Sequence, residues 1–143
     1  MKILVINGPN LNLLGEREPD KYGTNTYNQL CEKIKNFCGS KSIEVEIFQS
    51  NIEGEIVTAI QDARISFDGI VINPAGYTHT SVAIRDALLA VKIPAVEIHI
   101  SNIQEREDFR KVSITAPACI GQIAGFGQNS YLLGIQALQD YLS

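Results

Sequence analysis

The chain has 143 residues, 45% of them apolar and 20% charged, with 12 Lys plus Arg against 16 Asp plus Glu and a net charge of −4. That size supports one domain, spanning 1–143, with a core that needs no staples. The residue mix excludes a disordered tail, a coiled coil and a fibrous repeat. A protein built to grip nucleic acid would be basic, so no nucleic-acid partner is expected; an anionic small substrate fits, because a few aimed donors outweigh a weak overall charge. Cys31, Cys38 and Cys119 cannot all pair within one chain and form no C-x-x-C, so they read as reduced thiols of a cytoplasmic protein. The first apolar run, Ile3 to Ile6, stops at Asn7-Gly8-Pro9. It is too short for a signal peptide or a membrane span, and no later run approaches the length of a span, so no membrane partner is expected.

Short apolar runs alternate with helical spacing along the chain. Residues 2–7 read as a buried strand. Residues 8–24 then give 17 residues without apolar periodicity, where α/β loops usually have roughly 2–6. Residues 26–38 read as a helix with Tyr27, Leu30, Cys31, Ile34, Phe37 and Cys38 on one stripe, and Thr26 with Gln29 fits a capping box at its start. Residues 43–48 alternate as a strand polar on one side. Residues 53–66 are helical through Ile56, Val57, Ile60 and Ala63, and 69–73 form another buried strand. Ser81 opens a helix to about Val91, and 95–100 form a strand. A short helix is predicted over 105–111 and a last strand over 118–123. A last helix over 129–142 turns Tyr131, Leu132, Ile135, Leu138 and Leu142 inward.

Five β-α units without repeat or linker imply an α/β fold: a parallel sheet covered by helices on both faces, with the flavodoxin-like order 2-1-3-4-5. In such sheets ligands bind beyond the carboxyl ends of the strands, where the order switches. Strands 1, 3 and 4 would be neighbours there. They lead into Asn7-Gly8-Pro9-Asn10, into Asn73-Pro74-Ala75-Gly76-Tyr77-Thr78-His79, and through Glu97 to His99-Ile100-Ser101. Both histidines of the protein lie at these ends. The long segment after strand 1 is mostly charged in its middle, with Gly15 and Gly23 at its ends, the composition of a flap.

His99 is the best acid or base candidate, because imidazole titrates near neutrality; a buried histidine bonded to a carbonyl is the plainer alternative. Tyr22 in a charged loop is either a packing residue that pins the loop or a phenol that loses its proton beside Arg17; a phenol serves as a base at neutral pH only with a cation near it. Arg17 alone reads as a surface charge. His79 could aim a donor at a ligand, Ser81 caps its helix, and Ile100 with Ser101 could present backbone N–H groups to a carboxylate. Arg110 is a second possible anion contact, and Asp86 on its own reads as an exposed helix carboxylate. Gly121-x-x-x-Gly125-x-Gly127 is not a dinucleotide fingerprint and follows the wrong strand. No Walker loop is present. No spacing demands a metal, so none is expected, and Cys119 reads as core rather than nucleophile.

Four blocks carry a resemblance. They are Ile6-Asn7-Gly8-Pro9-Asn10-Leu11-Asn12-Leu13-Leu14-Gly15-x-Arg17 with Tyr22-Gly23, then Gln49-Ser50-Asn51-x-Glu53-Gly54, then Ile72 to Ala87, and Glu97-x-His99-x-Ser101-Asn102 followed by Arg106-Glu107-x-Phe109-Arg110. In this order and at this length the chain resembles the type II 3-dehydroquinate dehydratases. Gln104, where histidine is common, and Gln128-Asn129-Ser130 depart from the pattern without touching the reacting groups. The resemblance implies a flavodoxin-like hydro-lyase that converts 3-dehydroquinate to 3-dehydroshikimate by trans-dehydration, without Schiff base, metal or organic cofactor. It leaves open aromatic biosynthesis through shikimate or quinate breakdown. By motif position it implies Tyr22 as base, Arg17 as the group favouring phenolate, Asn10 as holder of a water on the enolate oxygen, and His99 as acid oriented by Glu97. It also implies substrate contacts from Asn73, His79, Ile100, Ser101 and Arg110, Asp86 reaching a site across a subunit contact, and trimers grouped into a homododecamer.

Overall fold

The computed structural model describes residues 1–143. Strands β1 (Lys2–Asn7), β2 (Glu44–Gln49), β3 (Gly69–Asn73), β4 (Ala95–His99) and β5 (Gly121–Ala124) form one parallel sheet in the expected order β2-β1-β3-β4-β5. Alternation along β1 explains the layers. Ile3 and Val5 face a core completed by Leu30, Ile34 and Cys38 of α2 (Tyr27–Ser40) and by Tyr131, Ile135 and Leu138 of α5 (Asn129–Leu142). Leu4 and Ile6 face the other, with Ile56 and Ile60 of α3 (Glu53–Ser66) and Ile84 and Leu88 of α4 (Val82–Val91). Buried on both faces, β1 is apolar from Ile3 to Ile6, whereas the edge strand β2 keeps Glu44 and Glu46 in water. Thr26 and Gln29 close the predicted capping box on α2, and the Ser81 hydroxyl accepts the Ile84 N–H at 3.0 Å to cap α4.

Four expectations are corrected. The segment 8–24 is not free of structure: Leu11 and Leu14 are buried in the core, residues Leu11–Leu13 make a 3-10 turn, and α1 (Pro19–Tyr22) is a single helical turn. Two apolar anchors without a third repeat give no period to read. The short helix over 105–111 is instead two 3-10 turns, Ile103–Glu105 and Asp108–Lys111, the first capped by the Asn102 side chain. The last strand begins at Gly121 and not at 118, because Pro117 sets a 3-10 turn over Ala116–Ala118 and leaves half-buried Cys119 ahead of the strand. Leu142 lies in the last turn, beyond the end of the sheet, and is exposed. No helix is long and apolar enough to cross a membrane.

The tips of β1 and β3 are drawn together just below the strand ends. The Gly8 N–H donates to the Asn73 carbonyl at 2.8 Å, and a Cβ at Gly8 would stand 2.4 Å from the Pro74 carbonyl oxygen. Backbone on both sides leaves nothing to yield. Gly8→Ala is therefore expected to cost about 1–3 kcal/mol of stability in urea unfolding and to spread the two strand ends. Unchanged stability would show that the tips are free to part.

Candidate active site

Because β1, β3 and β4 are neighbours, the residues that follow them converge on one cavity of about 120 Å³. Asn10, Arg17, Tyr22, Asn73, His79, His99, Ile100, Ser101 and Arg110 all line it, nine of the eleven residues singled out in the sequence. Glu97 lies beneath it, bonded to His99. Asp86 does not join them; it is exposed on α4.

Beneath the cavity, a chain of amides and phenols runs inward from Asn73. The Asn73 Nδ2 donates to the Tyr131 hydroxyl at 3.0 Å, which donates to the Asn7 Oδ1 at 2.6 Å. The Asn7 Nδ2 in turn reaches the Tyr27 hydroxyl at 3.3 Å. Burial pushes the phenols of Tyr131 and Tyr27 well above their ordinary value, so both stay protonated and act only as neutral donors and acceptors. The other end of Asn73 accepts the Ala75 N–H at 3.1 Å. That contact holds Ala75 at φ 53°, and Asn10 sits at φ 71°. Left-handed backbone in residues other than glycine is strained and gathers at binding sites.

One wall is the segment between β1 and α2, anchored by Leu11 and Leu14. It carries Arg17 with its guanidinium 4.9 Å from the Tyr22 ring centroid, over the face. The Tyr22 hydroxyl itself is held by a different cation: Arg106 Nη1 donates to it at 2.5 Å, and the guanidinium also lies 5.3 Å from the ring centroid. Arg106 is almost fully buried and paired through Nη2 with Glu18 at 3.3 Å, while its Nε has no partner. No reading of the sequence placed Arg106 in the site. It stands 84 residues from Tyr22, and only the fold brings them together. The signal that points to it is its place in the Arg106-Glu107-x-Phe109-Arg110 block, beside Arg110.

The opposite wall is His99. Its Nε2 donates to Glu97 Oε2 at 2.9 Å, leaving Nδ1 as the ring nitrogen available to a ligand. Burial raises the Glu97 carboxyl, but the bond and charge of His99, with bonds from Thr115 and Ser113, outweigh it and hold the group below its usual range. His79 donates from Nδ1 to the Val112 carbonyl at 2.8 Å and meets Phe109 edge-on at 6.1 Å; burial lowers its proton affinity. Arg110 is steadied by Glu107 at 2.5 Å. No group of three His, Cys, Asp or Glu side chains is placed to hold a metal ion, and burial pushes the Cys119 thiol up to about 12, out of nucleophile range.

The profile of the family described as dehydroquinase class II matches residues 1–139. This chain belongs to that family. Among the class II dehydroquinases and their relatives, the 3-dehydroquinate dehydratase of Clostridium acetobutylicum is 59% identical over 143 residues, covering 100% of this chain and 99% of the relative. The one from Fusobacterium nucleatum is 59% identical over 144 residues, covering 99% and 98%. The crystal structure of the type II dehydroquinase from Butyrivibrio crossotus superposes with a TM-score of 0.96 at 55% identity, covering 97% of each chain. A 3-dehydroquinate dehydratase-like protein from Bifidobacterium longum is more distant, with a TM-score of 0.73 and 28% identity over 99% of this chain and 98% of its own.

Two groups make stability sensitive to acid. Glu97 binds its proton less readily folded than unfolded, so its contribution is present above the ordinary carboxyl value and is lost as pH falls from there through the lower folded value. His79 is also depressed in the folded chain, so charging it as pH falls through the ordinary imidazole range likewise favours unfolding. Melting temperature is expected to drop first as pH falls below the ordinary imidazole range, from His79, and again below the ordinary carboxyl range, from Glu97. Glu97→Gln, which leaves His99 and two hydroxyls facing an amide, is expected to lose about 3–5 kcal/mol in chemical unfolding at neutral pH. A variant as stable as the parent would mean the carboxylate is not held as described.

Proposed function

We propose that this chain dehydrates 3-dehydroquinate to 3-dehydroshikimate through an enolate, with Tyr22 as base and His99 as acid. Family membership supports the reaction, and one geometric fact supports the division of roles. A phenol between two guanidinium groups and an imidazole backed by a carboxylate line the same cavity.

A proton beside a ketone is weakly acidic, so its removal needs a base and a place for the charge. In this reading the Tyr22 phenolate takes that proton, with Arg106 and Arg17 balancing the negative oxygen. The carbon–hydrogen electron pair moves to form the enolate, whose oxygen meets a water held by Asn10. Collapse of the enolate forms the carbon–carbon double bond and expels the hydroxyl on the next carbon, which takes the proton on His99 Nδ1 and leaves as water. Tyr22 then passes its proton to solvent and His99 regains one. The amides of Ile100 and Ser101 would hold the substrate carboxylate, and Asn73, His79 and Arg110 its hydroxyl-bearing edge. Closure of the Arg17–Tyr22 segment keeps bulk water from both charges. The reading uses no metal and no organic cofactor. It places the chain in the cytoplasm, in aromatic biosynthesis or quinate breakdown. Asp86, exposed in the single chain, would meet the site of a neighbouring copy in a homododecamer, and sedimentation as a monomer would refute that assembly.

Absorbance of the conjugated enone tests the chemistry. Addition of 3-dehydroquinate to the wild-type chain should generate it. Tyr22→Phe should lower kcat by at least about 10²-fold while still binding substrate-like ligands, and Arg106→Met should lower kcat far more than it raises KM. Near-normal turnover by Tyr22→Phe would remove the phenol from the role of base.

A further inference from the structure

Glu97 is fully buried, and both of its oxygens are occupied. Oε2 accepts from His99 Nε2 at 2.9 Å, from the Ser113 hydroxyl at 2.8 Å and from Gln122 Nε2 at 2.8 Å. Oε1 accepts from the Thr115 hydroxyl. A carboxylate offers about four acceptor sites; four donors approach it here, three on Oε2 and one on Oε1. All four neighbours point a hydrogen at the carboxylate, so a protonated carboxyl would have to turn at least one of them away. The hydrogen count closes as well. Each hydroxyl has one hydrogen; Ser113 donates its own to Glu97 at 2.8 Å and accepts the Ala116 N–H at 2.9 Å. The contact of 3.3 Å between the two hydroxyls adds no third donor.

These partners come from different places. His99 shares a strand with Glu97, Gln122 is its register partner across β4 and β5, and Ser113 and Thr115 lie on the connection between those strands. Thr115 is fully buried, so no water can replace its hydrogen, whereas Gln122 is exposed on its outer side, where water can. Thr115 is also the only donor to Oε1.

We propose that Thr115 is a positioning residue for the dehydration: its hydroxyl, with Ser113 and Gln122 completing the cage, keeps Glu97 a carboxylate turned to one acceptor site for His99, which fixes Nε2 as the imidazole donor and Nδ1 as the nitrogen presented to substrate. The proposal rests on the reading of His99 as the acid. Without Thr115, Oε1 is a buried anionic oxygen lacking a donor. The carboxylate is then free to turn, or to take a proton from the imidazole, and either change alters what Nδ1 offers. Losses should fall on the chemical step and spare substrate binding, since Thr115 does not line the cavity.

The test compares Thr115→Val, which keeps the shape and drops the hydroxyl, with Thr115→Ser, which keeps the hydroxyl, and with Gln122→Leu. Enone kinetics are measured well below each melting temperature. The His99 Nε2–H signal is followed in protein carrying 15N-labelled histidine. The expected result for Thr115→Val is a kcat lower by roughly tenfold, a KM within twofold, and a moved or exchange-broadened Nε2–H signal. Thr115→Ser should restore kcat and the signal, and Gln122→Leu should fall between. A Thr115→Val protein with wild-type kcat and an unmoved signal overturns the proposal, as does a loss confined to KM or to stability. The signal stands apart from turnover. If the wild-type chain makes no enone, the reading of the reaction fails, while an unmoved signal in Thr115→Val refutes the cage by itself.

Discussion

Three parallel strands that end side by side impose the plan of this molecule. A parallel ladder runs its strands in one direction, so the chain leaves β1, β3 and β4 at the same edge, and whatever follows those strands becomes neighbours there. Backbone amides and carbonyls run out of ladder partners at that edge, and side chains take over the bonding. Asn7 and Asn73 are register partners across β1 and β3, and both are tied to the Tyr131 hydroxyl from beneath. The apolar cores on the two faces hold the strands; the polar ends have only to point outward.

The cavity is electrically divided. One side carries Arg17 and Arg106 around a phenol, and the other a carboxylate behind an imidazole. The two buried charges have local countercharges: Glu18 for Arg106, His99 for Glu97. The burial of both groups is tolerable because they are bonded as well as paired. Such a division would suit the proposed proton transfers, since at one pH the base must have lost its proton while the acid keeps its own.

Much of this was legible in the sequence. The period of 3.6 in α2 and α3, the capping box at Thr26 and Gln29, and the all-apolar runs of β1 and β3 each have a local cause, so they survive into the structure unchanged. The grouping of Asn10, Asn73, His79 and His99 followed from strand order alone. What failed was short or shared between distant segments. Two anchors, Leu11 and Leu14, cannot make a period, and a proline shifted the start of β5 by a few residues. Arg106 is not legible in the sequence, because an arginine in a loop looks like any surface charge until its partner 84 residues away is beside it.

Composition and spacing by themselves determined a parallel α/β sheet with its polar residues at the strand ends, because hydrophobic period and turn chemistry are properties of neighbours along the chain. Which cation touches the Tyr22 hydroxyl, which nitrogen of His99 is spent on Glu97, and which donors surround that carboxylate were decided only in three dimensions. Hydrogen bonds act over about 3 Å, and nothing in the order of residues states which side chains from separate loops will come within that distance.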